Sequence, residues 1–151
     1  IYSSYLYLSM SAWLETKSLS GFAKWMRAQS QEEMFHADKM FDYLNERGGT
    51  VRLAAIEEPP HDWESPLDIM KQVVEHEAHV TGLINQLVDC ALDERDHALN
   101  HFLQWFVSEQ VEEEASVGEV YEKLKMIGND SAGMFSMDLE LGKRTFTAPV
   151  E

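Results

Sequence analysis

Cysteine, positive charge and long apolar runs are all scarce in this sequence. A single cysteine, Cys90, among 151 residues excludes an intrachain disulfide and a zinc site built from several cysteines. Lysine and arginine total 12 against 27 aspartate and glutamate residues, and the net charge of −15 argues against nucleic acid or an anionic membrane surface as a partner. No apolar run reaches about 18 residues, so no membrane-spanning helix is predicted. The acidic balance favours cations as partners, and the cysteine content fits a cytoplasmic protein.

The length and the first residue set two further expectations. A chain of about 150 residues can bury about 70% of its unfolded surface, so we expect residues 1–151 to form one domain. Ile1 is not a start methionine and lies inside a patterned segment. We therefore expect the first helix to begin upstream of Ile1.

Apolar residues recur at helical spacing along the chain, and this pattern predicts an all-α protein without strands. The predicted helices are 1 to about 17, Ser20 to about Arg47, Pro66 to Ala91, a fourth from the turn at 93–96 to Gly128, and a short fifth from 131 to about 141. The tail after Gly142 is predicted to be extended. The core-facing stripe is predicted to continue through Met40, Phe41 and Leu44 on the second helix and through Leu87 on the third.

Helix ends are marked by residues that commonly cap helices. Ser20 is the predicted N-cap of the second helix, and Ser65 before a proline is that of the third. Gly48 and Gly49 are the predicted stop of the second helix.

The one long connection lies between the second and third helices. Residues 50–65 contain two adjacent prolines and no helical stripe. When extended they reach about 53 Å, more than the roughly 40 Å of the second helix. The short loops make the first and second helices antiparallel, and likewise the third and fourth. Together these lengths predict a four-helix bundle with one long crossover and a short C-terminal helix.

Acidic residues lie on the predicted apolar faces of three helices. Glu33 and His36 occupy one face of the second helix at i, i+3, close to Met26. Glu77 lies in the middle of the apolar face of the third helix, and Glu113 in that of the fourth. This pattern is unusual for a helical core.

Glu77 and Glu113 have no basic residue near them in the sequence. No lysine or arginine lies between Lys71 and Arg95, or between Arg95 and Lys123. Burying an ion costs several kcal/mol, a large share of a total stability of roughly 5–15 kcal/mol. Protonation, water or a distant lysine would relieve this cost, and a divalent metal relieves it more fully. Carboxylate and imidazole ligands suit iron, manganese or zinc.

Each of these residues also has an ordinary interpretation. Glu-x-x-His occurs three times, and the pairs Glu58/His61, beside prolines, and Glu94/His97, across a turn, are not expected to be sites. Taken alone, three acids of the fourth helix are typical of a solvated surface: Glu109, Glu112 and Glu114. The combination of acids on three apolar faces is what favours a metal site.

Three segments carry a resemblance to a known family. They are residues 2–7 (YSSYLY), 31–36 (QEEMFH) and 102–114 (FLQWFVSEQVEEE), of which the last is long and specific. The chain resembles the ferritin family, in particular its bacterial and archaeal non-heme members, over nearly its whole length. The resemblance implies the ferritin four-helix bundle with its long crossover.

The resemblance also implies a di-iron site. Glu33 matches the glutamate that bridges the two irons, and His36 matches the histidine of the first iron. Glu77 and Glu113 match the third-helix and fourth-helix ligands of the second iron. A tyrosine and a glutamine beside the site are matched by Tyr7 and Gln110. Ligands of a nearby third iron site are matched by Glu32, Glu109 and Glu112.

Two departures from the family pattern matter. The family has a first-helix glutamate ligand of the first iron, which would fall immediately before Ile1. On the fourth helix, Glu113 is followed three residues later by Ser116 and not by histidine. This arrangement resembles ferritins and argues against bacterioferritin and rubrerythrin, the latter of which also needs a Cys-x-x-Cys iron site.

The function implied by the resemblance is iron storage with ferroxidase activity. Fe(II) is oxidised by dioxygen or peroxide, and Fe(III) is stored as mineral in a homo-oligomeric shell of 24 subunits, without heme. Two alternatives stay open: a di-iron oxidase or peroxide scavenger that stores little iron, and a metal-free helical bundle that binds a partner. Mineral growth distinguishes storage from scavenging, and an inert Glu33→Ala change would favour the metal-free bundle.

Overall fold

The structure, a computed structural model, describes residues 1–148. Within them there are five helices and no strand. The helices are α1 (Tyr2–Thr16), α2 (Ser20–Glu46), α3 (Pro66–Asp93), α4 (His97–Ile127) and α5 (Ser131–Leu141). The chain forms two compact units, one of residues 1–63 together with the segment from 130 onward, the other of residues 64–129. The last residues of the predicted extended tail, 149–151, lie outside the described residues.

In the first unit, α1 and α2 form an antiparallel hairpin. The Ser4 hydroxyl donates to the Ser30 carbonyl at 2.7 Å, and the Ser11 hydroxyl donates to the Ala23 carbonyl at 2.8 Å. Residue numbers on α2 therefore decrease as those on α1 increase, as in an antiparallel pair. The buried side chains of the hairpin include Leu6, Tyr7, Met10, Leu14, Phe22 and Met26.

The long connection returns along α1. It starts at Gly48, which has φ of 75° and follows α2 in the double hydrogen-bond pattern of a glycine C-cap, as predicted. Farther on, the Ser9 hydroxyl donates to the Pro60 carbonyl at 2.7 Å, and the Trp13 indole donates to Asp62 at 2.9 Å. Contacts that advance along both segments carry the chain back toward the end where α2 began.

The start of α2 is capped by α5, and this corrects the predicted role of Ser20. Ser20 is already helical, and no side chain of the loop caps the helix. Instead the Asp138 carboxylate accepts hydrogen bonds from the backbone N–H groups of Gly21 and Phe22, at 2.9 and 3.0 Å. A Cβ on Gly21 would lie 1.7 Å from the Asp138 carbonyl oxygen, so only glycine permits this approach. Capping across more than a hundred residues cannot be read from local sequence.

In the second unit, α3 and α4 form a hairpin with local caps. The Ser65 hydroxyl accepts from the Asp68 N–H at 3.1 Å, which confirms the predicted cap. The Asp96 carboxylate accepts from the Leu99 N–H at 3.0 Å at the start of α4. The buried cluster beyond these caps is Ile84, Ala91, Leu103 and Phe106.

Part of the predicted core is exposed. Met40, Phe41 and Leu44 on α2 are 37%, 46% and 42% exposed, and Leu87 on α3 is 45% exposed. The helical period predicted a common face for Met40, Phe41 and Leu44, but within the described chain that face is only partly covered. Among the described residues, no helix is both long and apolar enough to cross a membrane.

Candidate metal-binding site

Glu33 and His36 lie together on the buried face of α2. Their side chains are 8% and 10% exposed, and His36 Nδ1 is 3.9 Å from Glu33 Oε1. Gln29, one turn before Glu33, is fully buried, and so is Tyr7 on α1. The first unit therefore holds a carboxylate and an imidazole at adjacent turns, in the mid-helix position predicted from the sequence.

His36 is held in the form that can bind a metal. Burial lowers the pKa of His36 from 6.5 to about 4, and the nearby Lys39 charge adds to the shift. At neutral pH the imidazole is therefore uncharged and keeps a nitrogen lone pair. A metal ligand must be deprotonated, so this burial prepares His36 for coordination.

The Glu32 side chain contacts the segment that follows α5. Its carboxylate oxygen Oε2 accepts a hydrogen bond from Arg144 Nη2 at 2.6 Å, and both side chains are largely shielded from solvent. The Arg144 guanidinium also lies over the Trp25 ring, 4.7 Å from its centroid. The segment after α5 thus brings a cation to Glu32, a neighbour that the sequence pattern did not predict.

In the second unit, the predicted acids of α3 and α4 are deeply buried. Glu77 has no exposed surface, and Glu113 is 4% exposed. Gln110, 3% exposed, donates through Nε2 to Glu77 Oε2 at 3.2 Å. The prediction that these two glutamates lie on the apolar faces of their helices agrees with their burial. Their burial is costly unless a cation shares the space.

Two residues beside Glu77 were not singled out as site residues from the sequence. Thr81 Oγ1 accepts from Gln110 Nε2 at 3.2 Å and donates to Glu114 Oε1 at 2.5 Å. Glu114 itself is exposed, as expected for a solvated acid. The available signal was spacing: Thr81 follows Glu77 by one turn, and Glu114 follows Gln110 by one turn.

The other predicted metal ligands are less enclosed. Glu109 is half-buried and Glu112 is exposed on α4. Within residues 1–148, no three His, Cys, Asp or Glu side chains form a group that could hold a metal ion. The case for a metal site therefore rests on burial and on the chemistry of the donor groups. The pairs Glu58/His61 and Glu94/His97 are exposed.

Comparisons with known proteins identify the family. A model of the ferritin-like domain matches residues 1–127. A bacterial non-heme ferritin of Bacteroides fragilis is 48% identical over 144 residues, which are 95% of this chain and 89% of that protein. A probable bacterial non-heme ferritin-like protein of Haemophilus influenzae is 42% identical, over 93% of this chain and 86% of that protein. The chain belongs to the ferritin family.

Solved structures agree with this assignment. An open-pore ferritin from the hyperthermophilic archaeon Archaeoglobus fulgidus matches with a TM-score of 0.95 and 52% identity, over 96% of this chain and 90% of that one. An engineered closed form of the same ferritin matches with a TM-score of 0.96 and 53% identity, over 97% and 89%. The predicted all-α, ferritin-like fold with a short C-terminal helix is confirmed.

Proposed function

We propose that this ferritin stores iron, oxidising Fe(II) at buried carboxylates and depositing Fe(III) as mineral inside a homo-oligomeric shell. The observation that carries the proposal is the set of buried donors in a chain of ferritin fold. Three glutamates and one neutral histidine are buried: Glu33, Glu77, Glu113 and His36. The comparisons with non-heme ferritins favour storage over a scavenging oxidase or a metal-free bundle.

The donors divide between two iron positions in our proposal. His36 and Glu33 bind the first Fe(II), and Glu77 and Glu113 bind the second. Tyr7, fully buried on α1, lies on the hairpin that carries Glu33 and is proposed to adjoin the first position.

The donor set suits iron as a substrate that is passed on. Carboxylate oxygens are hard ligands that stabilise Fe(III) more than Fe(II), so oxidation by dioxygen becomes more favourable at this site. Each Fe(II) loses one electron, and dioxygen accepts the electrons of both. Because a single imidazole is present among oxygen donors, the ferric product stays exchangeable and can move on to the mineral.

A third iron position is proposed with lower occupancy. Glu32, Glu109 and Glu112 are its predicted ligands. The Arg144 guanidinium already provides a positive charge at Glu32, so a cation there must compete with it. This competition predicts that the third position fills after the other two.

Assembly and location complete the proposal. The exposed apolar face at Met40, Phe41 and Leu44 suits contact between subunits, and relatives of this chain are ferritins. We propose a shell of 24 subunits in the cytoplasm, with no heme. A net charge of −15 per chain favours the approach of Fe(II).

The decisive experiment is stepwise aerobic addition of Fe(II) to the full-length protein while ferric absorbance is followed in time. We expect a fast phase that saturates near two irons per subunit, then slow growth well beyond that ratio. Glu33→Ala should abolish the fast phase. Glu46→Ala removes the same charge from the exposed end of the same helix and should leave the fast phase unchanged.

Each other outcome points to a different function. A fast phase without later growth identifies a di-iron oxidase or scavenger that stores little iron. Equal traces for wild type, Glu33→Ala and buffer leave a helical bundle that does not use these acids for iron.

A further inference from the structure

A groove on the α3–α4 hairpin is lined in part by Gln110, which hydrogen-bonds to the buried Glu77. The groove has a volume of about 250 Å³, and its lining includes Thr81, Asn85, Gln110 and Glu114. Glu114 lies exposed at one end of the hydrogen-bonded chain, and Glu77 lies fully buried at the other. The side chains between them are Thr81 and Gln110.

The hydrogen bonds along this chain have a fixed direction. The Gln110 Nε2 atom lies 3.2 Å from Glu77 Oε2, 3.2 Å from Thr81 Oγ1 and 3.3 Å from the Glu77 carbonyl oxygen. A carboxylate and a carbonyl can only accept hydrogen bonds. Thr81 has one hydroxyl hydrogen, which it donates to Glu114 Oε1 at 2.5 Å. Toward Gln110, the Thr81 oxygen can therefore only accept as well.

This direction decides how the Gln110 amide is oriented. Three acceptor oxygens surround one position of the amide, so that position must be occupied by nitrogen. The opposite orientation would place the amide oxygen against three acceptors, one of them a carboxylate oxygen. Glu114 accepts the hydrogen bond of the Thr81 hydroxyl, so the Thr81 oxygen is left as an acceptor for Gln110. An exposed acid and a hydroxyl therefore determine that the amide nitrogen of Gln110 faces the buried Glu77.

We propose that Thr81 is a positioning residue of the iron site. Its hydroxyl donates a hydrogen bond to Glu114 and accepts one from the Gln110 amide nitrogen, which is thereby held against Glu77. This contact fixes the orientation of the Glu77 carboxylate that binds the second iron. This inference rests on the proposed function, because it takes Glu77 as an iron ligand. Thr81 does not contact iron in this scheme, and Glu114 contributes as a hydrogen-bond acceptor.

The test compares hydroxyl-deleting and hydroxyl-keeping variants of the full-length protein. Zn(II) binding is measured by titration calorimetry, and the fast phase of Fe(II) oxidation is measured in parallel. We expect Thr81→Val to weaken Zn(II) binding at the saturable sites about threefold to tenfold, the value of one net hydrogen bond. Thr81→Ser should restore the wild-type affinity. The effect is limited because water in the groove can replace part of the lost contact.

Variants of Glu114 separate hydrogen bonding from charge. Glu114→Gln keeps an acceptor for Thr81 and should bind Zn(II) within about twofold of wild type. Glu114→Ala removes the acceptor and should weaken binding in the same direction as Thr81→Val. Equal losses in Glu114→Gln and Glu114→Ala would show that charge alone matters and would overturn the positioning role.

Controls separate failure of this inference from failure of the proposed function. Thr16→Val deletes a hydroxyl that bonds only to the Trp13 carbonyl of its own helix, and should leave Zn(II) affinity unchanged. If wild type binds Zn(II) and oxidises Fe(II) rapidly but Thr81→Val equals wild type, only the role of Thr81 is wrong. If wild type does neither, both proposals are overturned. Should Thr81→Val not assemble, Glu114→Ala and Glu114→Gln provide the comparison.

Discussion

At the scale of single residues, His36 shows how burial selects a protonation state. The side chain is 10% exposed, and the Glu33 carboxylate 3.9 Å away would favour the charged imidazolium. Removal from water has the opposite effect, with Lys39 adding to it, and lowers the pKa of His36 to about 4. Desolvation thus outweighs the neighbouring acid in the metal-free protein. The same burial leaves a neutral nitrogen donor among acidic ligands.

The low pKa of His36 predicts a pH dependence of stability in the metal-free protein. The folded-state pKa is about 4 and the unfolded value 6.5, so the unfolded chain binds more protons between these values. Stability from this residue is fully present above pH 6.5 and is lost as pH falls toward the folded pKa. The loss is on the order of 3 kcal/mol. Urea unfolding of chelator-treated protein across this range measures it.

A variant separates the contribution of His36 to the pH dependence of stability from the contributions of the carboxylates. His36→Gln has no titrating group at this position, so the wild-type midpoint should fall relative to the variant's midpoint as pH decreases through this window. Parallel curves would show that His36 is not the group that is protonated on unfolding.

Residue-level prediction from the sequence succeeded where the signal was periodic. Glu33, Glu77 and Glu113 were predicted on apolar faces, and all are buried because their helical register leaves them nowhere else. The role of Thr81 beside Glu77 was missed. It depends on which α4 side chain faces it, and helical spacing within α3 does not specify that partner.

At the scale of elements, α5 and the segment after it contact α2 at several points along its length. Asp138 caps α2, Arg144 reaches Glu32, and the Phe146 ring lies 6.0 Å from that of Phe35. These contacts advance along α2 in chain order. The helix ends at Gly48 and Ser65 were predictable because their hydrogen bonds are local, whereas this long-range cap was not.

Arg144 predicts a gain of cation binding on its removal. Arg144→Ala takes the guanidinium away from Glu32, and a divalent cation then no longer competes with it. We expect Zn(II) titration to show tighter binding of equivalents beyond the first two per subunit, by about threefold to tenfold for a largely shielded pair. The first two equivalents should keep their affinity.

Lys143 offers a control matched in charge. Its side chain pairs with Glu140, and both are mostly exposed, so Lys143→Ala changes net charge equally without touching Glu32. Similar gains in both variants would assign the effect to net charge. A loss of affinity in Arg144→Ala alone would show that Arg144 supports the third position instead of competing for it.

At the scale of the whole molecule, exposed apolar side chains favour association between subunits, whereas the net charge opposes it. A chain with net charge −15 repels its copies, yet α2 presents Met40, Phe41 and Leu44 to solvent within the described chain. Apolar faces of this kind mark association surfaces. The sequence predicted the face through its helical period and assigned it to the core. Periodicity reports that a face is apolar and does not report whether the same chain covers it.

Assembly through this face can be tested by adding a charge to it. Phe41→Glu places a carboxylate where the side chain is 46% exposed, so the subunit itself should fold with unchanged helix content. Burying that carboxylate between subunits costs several kcal/mol, repeated at every contact of a symmetric shell. We expect analytical ultracentrifugation to show species of one or a few subunits in place of the shell, and prolonged Fe(II) addition to give precipitate instead of soluble mineral.

Gln31→Glu adds the same charge at an exposed polar position of the same helix and should remain assembled. Wild-type mass for Phe41→Glu would place the subunit contacts elsewhere, and a small wild-type species would refute the shell itself.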